Sequence, residues 1–288
     1  MIEVSMARAV RCIALTMALT TLASCGPTSA SPSGVESSSS PPAPSVTASP
    51  GDGPIHGTYD VGGYDLFIDC TGTGKPTVVM LAGAFGGSSA DWTATRDGMT
   101  ARTCAYDRRN VGLSTQVPGR STGIEAVEDL HQLLQVAGVE PPYVLAGHSY
   151  GGMLSLLYAG TYPDEVAGIV LVDATMPFEV ELDPPEIAPK VRKELNDNPE
   201  RIDFYETYAL TDSVLDRLPA IPITYLFALQ QNYPKEWEEG AYPRLLRAFI
   251  RGLPNGRLVE FDTDHDVLLD TPADVAEQIQ QMLGVLVV

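Results

Sequence analysis

From residue 54 onward the hydrophobic pattern alternates between two periods. Compact apolar runs that fit buried strands stand at residues 77–81, 103–106, 143–146, 168–172, 223–227 and 258–261. Among them lie segments of helical spacing at 89–99, 124–136, 153–159 and 275–286. In the second of these, Ile124, Val127, Leu130, Leu133 and Leu134 form one apolar face. Residues 57–69 read as a hairpin turning at Gly62 and Gly63. Alternation of this kind predicts an α/β domain over residues 54–288, built on a mostly parallel sheet flanked by helices.

The alternation breaks once. Residues 177–219 are acidic and Pro-rich at their start, and separate two strands that need only one helix between them. Helical spacing at Ile202, Tyr205, Tyr208 and Ala209 predicts an inserted helical cap over one edge of the sheet, not a second domain.

The N-terminal stretch has a different build. Arg8 and Arg11 precede a short apolar run from Cys12 to Ala23, too short for a permanent bilayer span of about 20 residues. Residues 1–25 therefore read as a secretory signal. Its end, Leu22-Ala23-Ser24-Cys25, resembles the bacterial lipobox, which implies diacylglyceryl attachment to Cys25 and a lipid anchor on the extracytoplasmic face. Residues 26–53 are nearly all Ser, Pro, Ala, Thr and Gly, a composition that predicts a disordered tether.

Charge narrows the partners. The chain carries 18 Lys and Arg against 37 Asp and Glu, a formal net charge of −19. Such a surface repels nucleic acid and anionic lipid, so no nucleic-acid role is expected and membrane contact is left to the N-terminal lipid alone. Four scattered His and few Cys form no ligand-spaced cluster, so neither a metal nor another cofactor is expected. With Cys12 removed and Cys25 lipidated, Cys70 and Cys104 remain as an even pair in an oxidising compartment. They are expected to form a disulfide, the alternative being two separate buried thiols.

The most specific chemical signal is Gly147-His148-Ser149-Tyr150-Gly151, a G-x-S-x-G sequence between an apolar strand and a helix. The two glycines permit a turn tight enough to hold a serine exposed above a sheet. Together with the segments 105–108, 142–149 and 162–168, it resembles the esterase and lipase-like branch of the α/β-hydrolase superfamily. The resemblance covers residues 57–288 and implies an eight-stranded sheet with a triad ordered nucleophile, acid, base. It also sets the strands bearing Cys70 and Cys104 side by side.

Ser149 is then the expected nucleophile, and His265, after the last strand in Asp262-Thr263-Asp264-His265-Asp266, the expected base. His56 and His131 have no motif around them, and the side chain of His148 should point away from that of Ser149. The acid slot after residues 223–227 is empty up to Glu236. Asp173, closing the apolar run 168–172, is the favoured acid, with an Asp that merely caps the next segment as the alternative. The oxyanion hole should join the Tyr150 amide to that of Phe85, or failing that Ala84, in the loop after residues 77–81.

These residues point to a membrane-anchored serine hydrolase acting on a small-molecule ester. An amide-cleaving, proline iminopeptidase-like enzyme and a non-catalytic ligand-binding lipoprotein on the same fold are the alternatives. The sequence leaves the oligomeric state and the natural substrate open.

Overall fold

A computed structural model of the chain describes residues 53–231 and 233–286. The expected signal segment 1–25, the Cys25 lipidation site and the tether up to residue 52 lie outside the described residues.

Eight strands form one sheet: β1 (Ile55–Asp60), β2 (Asp65–Thr71), β3 (Thr73–Leu81), β4 (Ala101–Tyr106), β5 (Tyr143–His148), β6 (Val166–Val172), β7 (Ile223–Ala228) and β8 (Gly256–Phe261). Their order is β1-β2-β4-β3-β5-β6-β7-β8. The β1–β2 and β2–β4 pairs are antiparallel, and all pairs from β4 through β3 to β8 are parallel.

Helices α1 (Thr93–Asp97), α2 (Gly123–Val136), α3 (Tyr150–Thr161), α4 (Ala188–Asn196), α5 (Phe204–Leu215), α6 (Ala241–Gly252), α7 (Val267–Asp270) and α8 (Pro272–Leu286) complete it.

The central strands are apolar throughout because both faces are covered. Successive residues feed opposite layers. Val79, Leu81, Ile169 and Leu171 join a core that includes side chains of α2, α3, α5 and α6. Their neighbours Val78, Met80, Val170 and Val172 join a second core with Trp92 and the α8 residues Val275, Ile279 and Met282. Helix α2 starts where Thr122 and Glu125 satisfy each other's backbone amides, at 3.4 and 2.8 Å, a capping box. In the β2–β4 register Cys70 stands directly opposite Cys104, and a disulfide joins them.

Three elements differ from the hydrophobic reading. The expected helix 89–99 is a 3-10 turn, Ser89–Trp92, followed by the short α1, ending at Gly98. Strand β3 begins four residues early, across Gly74, Lys75 and Pro76, which interrupt its apolar run and accompany a register shift against β4. Helix α6 had no counterpart in the reading. Three arginines, Arg244, Arg247 and Arg251, dominate its sequence, while Tyr242, Leu246 and Ile250 bury its other face.

The segment between β6 and β7 holds the turn Pro177–Glu181, α4 and α5, and adds no strand to the sheet. Helix α5 packs on α2 and α3.

Candidate active site

Ser149 links β5 to α3 with φ 52° and ψ −121°. A Cβ on Gly147 would stand 2.4 Å from the Gly151 carbonyl oxygen, and one on Gly151 would stand 2.2 Å from that of Leu81. Neither neighbour yields cheaply, since the first is backbone of α3 and the second backbone of the adjacent strand β3. The two glycines are therefore steric requirements of the turn.

Asp173 follows β6 with φ 40° and is 3% exposed. Its amide donates to the Leu226 carbonyl at 2.8 Å. Its carboxylate accepts from the Ala228 amide at 3.0 Å and from the Gln231 side chain. His265 Nδ1, in the loop after β8, lies 2.6 Å from Asp173 Oδ2. A buried carboxylate thus has three donors, one from the end of β7 and one from the segment after it, which lacks an acid of its own up to Glu236.

Partial burial pulls the His265 pKa down, but the hydrogen bond and charge of Asp173, with Asp266 and Glu179, more than offset it. The net result lies above the ordinary His value.

Ser149 Oγ lies 3.4 Å from Thr175 Oγ1, and among the described residues no hydrogen bond joins it to His265. The Thr175 amide donates to the Ser149 carbonyl at 3.0 Å, tying the loop after Asp173 to the serine turn. Ser149, Thr175, Asp173 and His265 are thereby gathered at one end of the sheet by the ends of β5, β6 and β8.

Phe85 has φ 61° and stacks on Phe204 of α5, with ring centroids 5.7 Å apart. Ala84 packs against the core beside it. Among the described residues, no acceptor meets the amides of Tyr150, Ala84 or Phe85. Of the five non-glycine residues with positive φ in the described chain, Phe85, Ser149 and Asp173 are three. Strain concentrated on one small region marks a place where the fold holds backbone for a purpose other than stability.

Two contributors were not read from the sequence. His148 Nε2 donates to the His265 carbonyl at 2.9 Å, so it steadies the His265 loop. Burial, followed by the nearby His265, holds its pKa below the ordinary value. Gln231 is the other, through its bond to Asp173. Neither residue sits in a motif that announces the role.

A cavity of about 340 Å³ opens beside this cluster, lined by Asp173, Thr175, Glu179, Tyr208, Trp237 and His265 among others. Burial pushes the Glu179 carboxyl up to about 7, a rise to which Asp173 adds, while the Met176 amide, His265 and the Tyr208 hydroxyl oppose it.

The eight-stranded sheet with a serine turn between β5 and α3 is the α/β-hydrolase fold. A family model for the alpha/beta hydrolase fold matches residues 76–208. The Bacillus subtilis protein YqjL is 33% identical over 107 residues, 36% of this chain and 42% of that protein. RutD of Azorhizobium caulinodans, whose name marks it as a candidate carbamate hydrolase, is 30% identical over 114 residues, 39% of this chain and 42% of that protein. The chain thus spans about two fifths of the length of these curated relatives.

Among solved structures, a thermophilic esterase from Thermogutta terrifontis superposes with a TM-score of 0.59 at 22% identity, over 81% of this chain and 99% of that one. The haloalkane dehalogenase DatA from Agrobacterium tumefaciens C58 gives 0.62 at 14% identity, over 82% and 98%. At such identities the likeness is one of fold.

Proposed function

We propose that this protein is a serine hydrolase cleaving ester-like bonds through an acyl-enzyme on Ser149. The observation that carries the reading is the 2.6 Å pairing of His265 with Asp173 beside a serine held at positive φ. With Nδ1 engaged by Asp173, the His265 ring keeps Nε2 for the serine, once the Ser149 hydroxyl turns from Thr175.

Ser149 Oγ then attacks the carbonyl carbon while its proton passes to His265 Nε2. The oxyanion is met by the unpartnered Tyr150 amide and one from the loop after β3, Phe85 first and Ala84 second. Collapse of the tetrahedral species breaks the bond to the leaving oxygen, which takes the proton from His265. Water repeats the sequence on the acyl-enzyme and restores Ser149. Asp173 orients the imidazole through its contact with Nδ1 and offsets the charge the ring gains.

Incubation with a fluorophosphonate probe, followed by peptide mapping, should label Ser149 alone, and Ser149→Ala should abolish labelling. A wild-type protein that resists the probe, or carries it elsewhere, overturns the assignment. A screen of p-nitrophenyl esters of graded chain length, with matched amides and carbamates, then ranks the scissile bond.

We further infer that the enzyme works on the extracytoplasmic face of a membrane, held by lipid on Cys25. The support is the sequence of residues 1–53. Each buried methylene adds about 0.8 kcal/mol, so two acyl chains hold where one does not. Cys25→Ser should release the protein or leave it unprocessed. A processed mutant that remains on the membrane refutes the anchor.

A further inference from the structure

The cavity beside His265 carries chemistry that bond cleavage leaves unused. Five aromatic side chains line it: Tyr205, Tyr208, Tyr233, Trp237 and Tyr242. Beyond Asp173, which is engaged by His265, the wall holds two more carboxylates, Glu179 and Asp183. No Lys or Arg lines it among the described residues.

The two carboxylates meet neutral donors. Glu179 accepts from the Met176 amide at 2.8 Å and from the Tyr208 hydroxyl at 3.4 Å. Asp183 accepts from the Trp237 indole N–H at 2.8 Å. Among the described residues neither forms an ion pair with Lys, Arg or His. Two carboxylates that line a cavity with no Lys or Arg in its wall, among the described residues, favour a positively charged ligand there. Aromatic faces attract cations, most strongly where water is excluded. One wall aromatic already holds one, since the exposed Arg192 guanidinium lies 4.9 Å from the Tyr205 ring centroid without lining the cavity.

We propose that this cavity receives the positively charged end of the substrate, an organic ammonium group borne on the ester that Ser149 cleaves. The proposal rests on the hydrolase reading for the ester end, which meets the cavity at His265 and Thr175. A volume of about 340 Å³ lies at the lower end of small-molecule sites and suits one ammonium head group with a short linker. A cation seated there would also keep Glu179 in its ionised form.

Choline and its uncharged isostere 3,3-dimethylbutan-1-ol separate charge from shape. Choline should change the fluorescence of Trp237 saturably and slow fluorophosphonate labelling of Ser149, whereas the alcohol at equal concentration should do neither. The other tryptophan, Trp92, is fully buried in the opposite core layer and gives a constant background. In turnover, kcat/KM for acetylcholine should exceed that for 3,3-dimethylbutyl acetate by at least about tenfold. Glu179→Gln and Asp183→Asn should each pull that ratio toward one.

Equal binding and equal turnover of the charged and uncharged members would overturn the cation site while leaving the hydrolase reading intact. Saturable choline binding to a protein whose Ser149 resists the probe would uphold the cation site and sink the hydrolase reading instead.

Discussion

Arg108 and Glu200 pair at 2.8 Å with side chains only 5% and 2% exposed. Arg108 follows β4 and also donates to the carbonyls of Ala82 and Gly83, at 2.6 and 2.5 Å. Glu200 comes from the insertion between α4 and α5 and accepts from the Gly86 amide at 3.0 Å. The pair therefore fastens the segment between β6 and β7 to the loop that carries Ala84 and Phe85.

Breaking a buried pair from one side strands the other charge, at a cost of about 3–5 kcal/mol. Glu200→Gln should lower unfolding stability by that amount in a urea titration and slow ester turnover through the freed loop. A loss under about 1 kcal/mol, the range of an exposed pair, would show that Arg108 finds other compensation.

The serine turn offers a contrast between two substitutions two residues apart. Gly151→Ala places a methyl carbon 2.2 Å from the Leu81 carbonyl oxygen and 2.6 Å from that of Ala82, both backbone. Overpacking of this kind costs about 1–3 kcal/mol or more, and the strain falls on the turn itself. The variant should melt earlier and lose fluorophosphonate labelling. Ser149→Ala removes only an oxygen, so its melting should stay within about 0.5 kcal/mol of wild type while labelling vanishes. A Gly151→Ala protein with wild-type melting and labelling would mean that the turn can relax.

What the sequence disclosed follows from the range of each constraint. The tight turn at Ser149 was legible because the steric demand on Gly147 and Gly151 acts within five residues. The sheet was legible because strands covered on both faces must be apolar at every position, as in β5 and β6. Asp173 stood out less sharply, through its place at the end of an apolar strand, the second acid slot that the resemblance implies, and the missing acid after β7. His148 and Gln231 were not legible, since each acts through one hydrogen bond to a residue remote in sequence. Helix α6 was hidden by its arginines, although Tyr242, Leu246 and Ile250 lie at helical spacing. The choice between the Phe85 and Ala84 amides depends on backbone dihedrals, which no residue pattern in that loop encodes.

Cys70 and Cys104, both without solvent exposure, tie β2 to β4 across 34 residues of chain. A closed loop of that length restricts the unfolded chain by about 4 kcal/mol in the entropy model. Replacing both by Ala should lower stability by about 2–4 kcal/mol, measured in urea under non-reducing conditions. The bond stands away from Ser149, in the antiparallel part of the sheet, so turnover at low temperature should persist. Peptide mapping without reductant checks the premise, because two freely alkylated thiols would remove it.

The pH dependence of turnover tests Asp173 most directly. His265 can accept the serine proton only when neutral, so kcat/KM should rise with pH through an apparent pKa above the ordinary His value of about 6.5. Burial works against that elevation, and the Asp173 hydrogen bond and charge are the chief contributions that sustain it, ahead of Asp266 and Glu179. Asp173→Asn removes both contributions at once, so the inflection should move to lower pH. The plateau rate should fall by about 10⁴, since an amide at that position no longer stabilises the imidazolium formed during attack. Asp266→Asn removes a weaker charge, so it should shift the inflection downward by less. A profile of Asp173→Asn with an unmoved inflection and a loss below about tenfold would transfer the acid's role to another carboxylate. Glu179, across the same cavity, would be the first to examine, because its own charge already contributes to the elevation at His265.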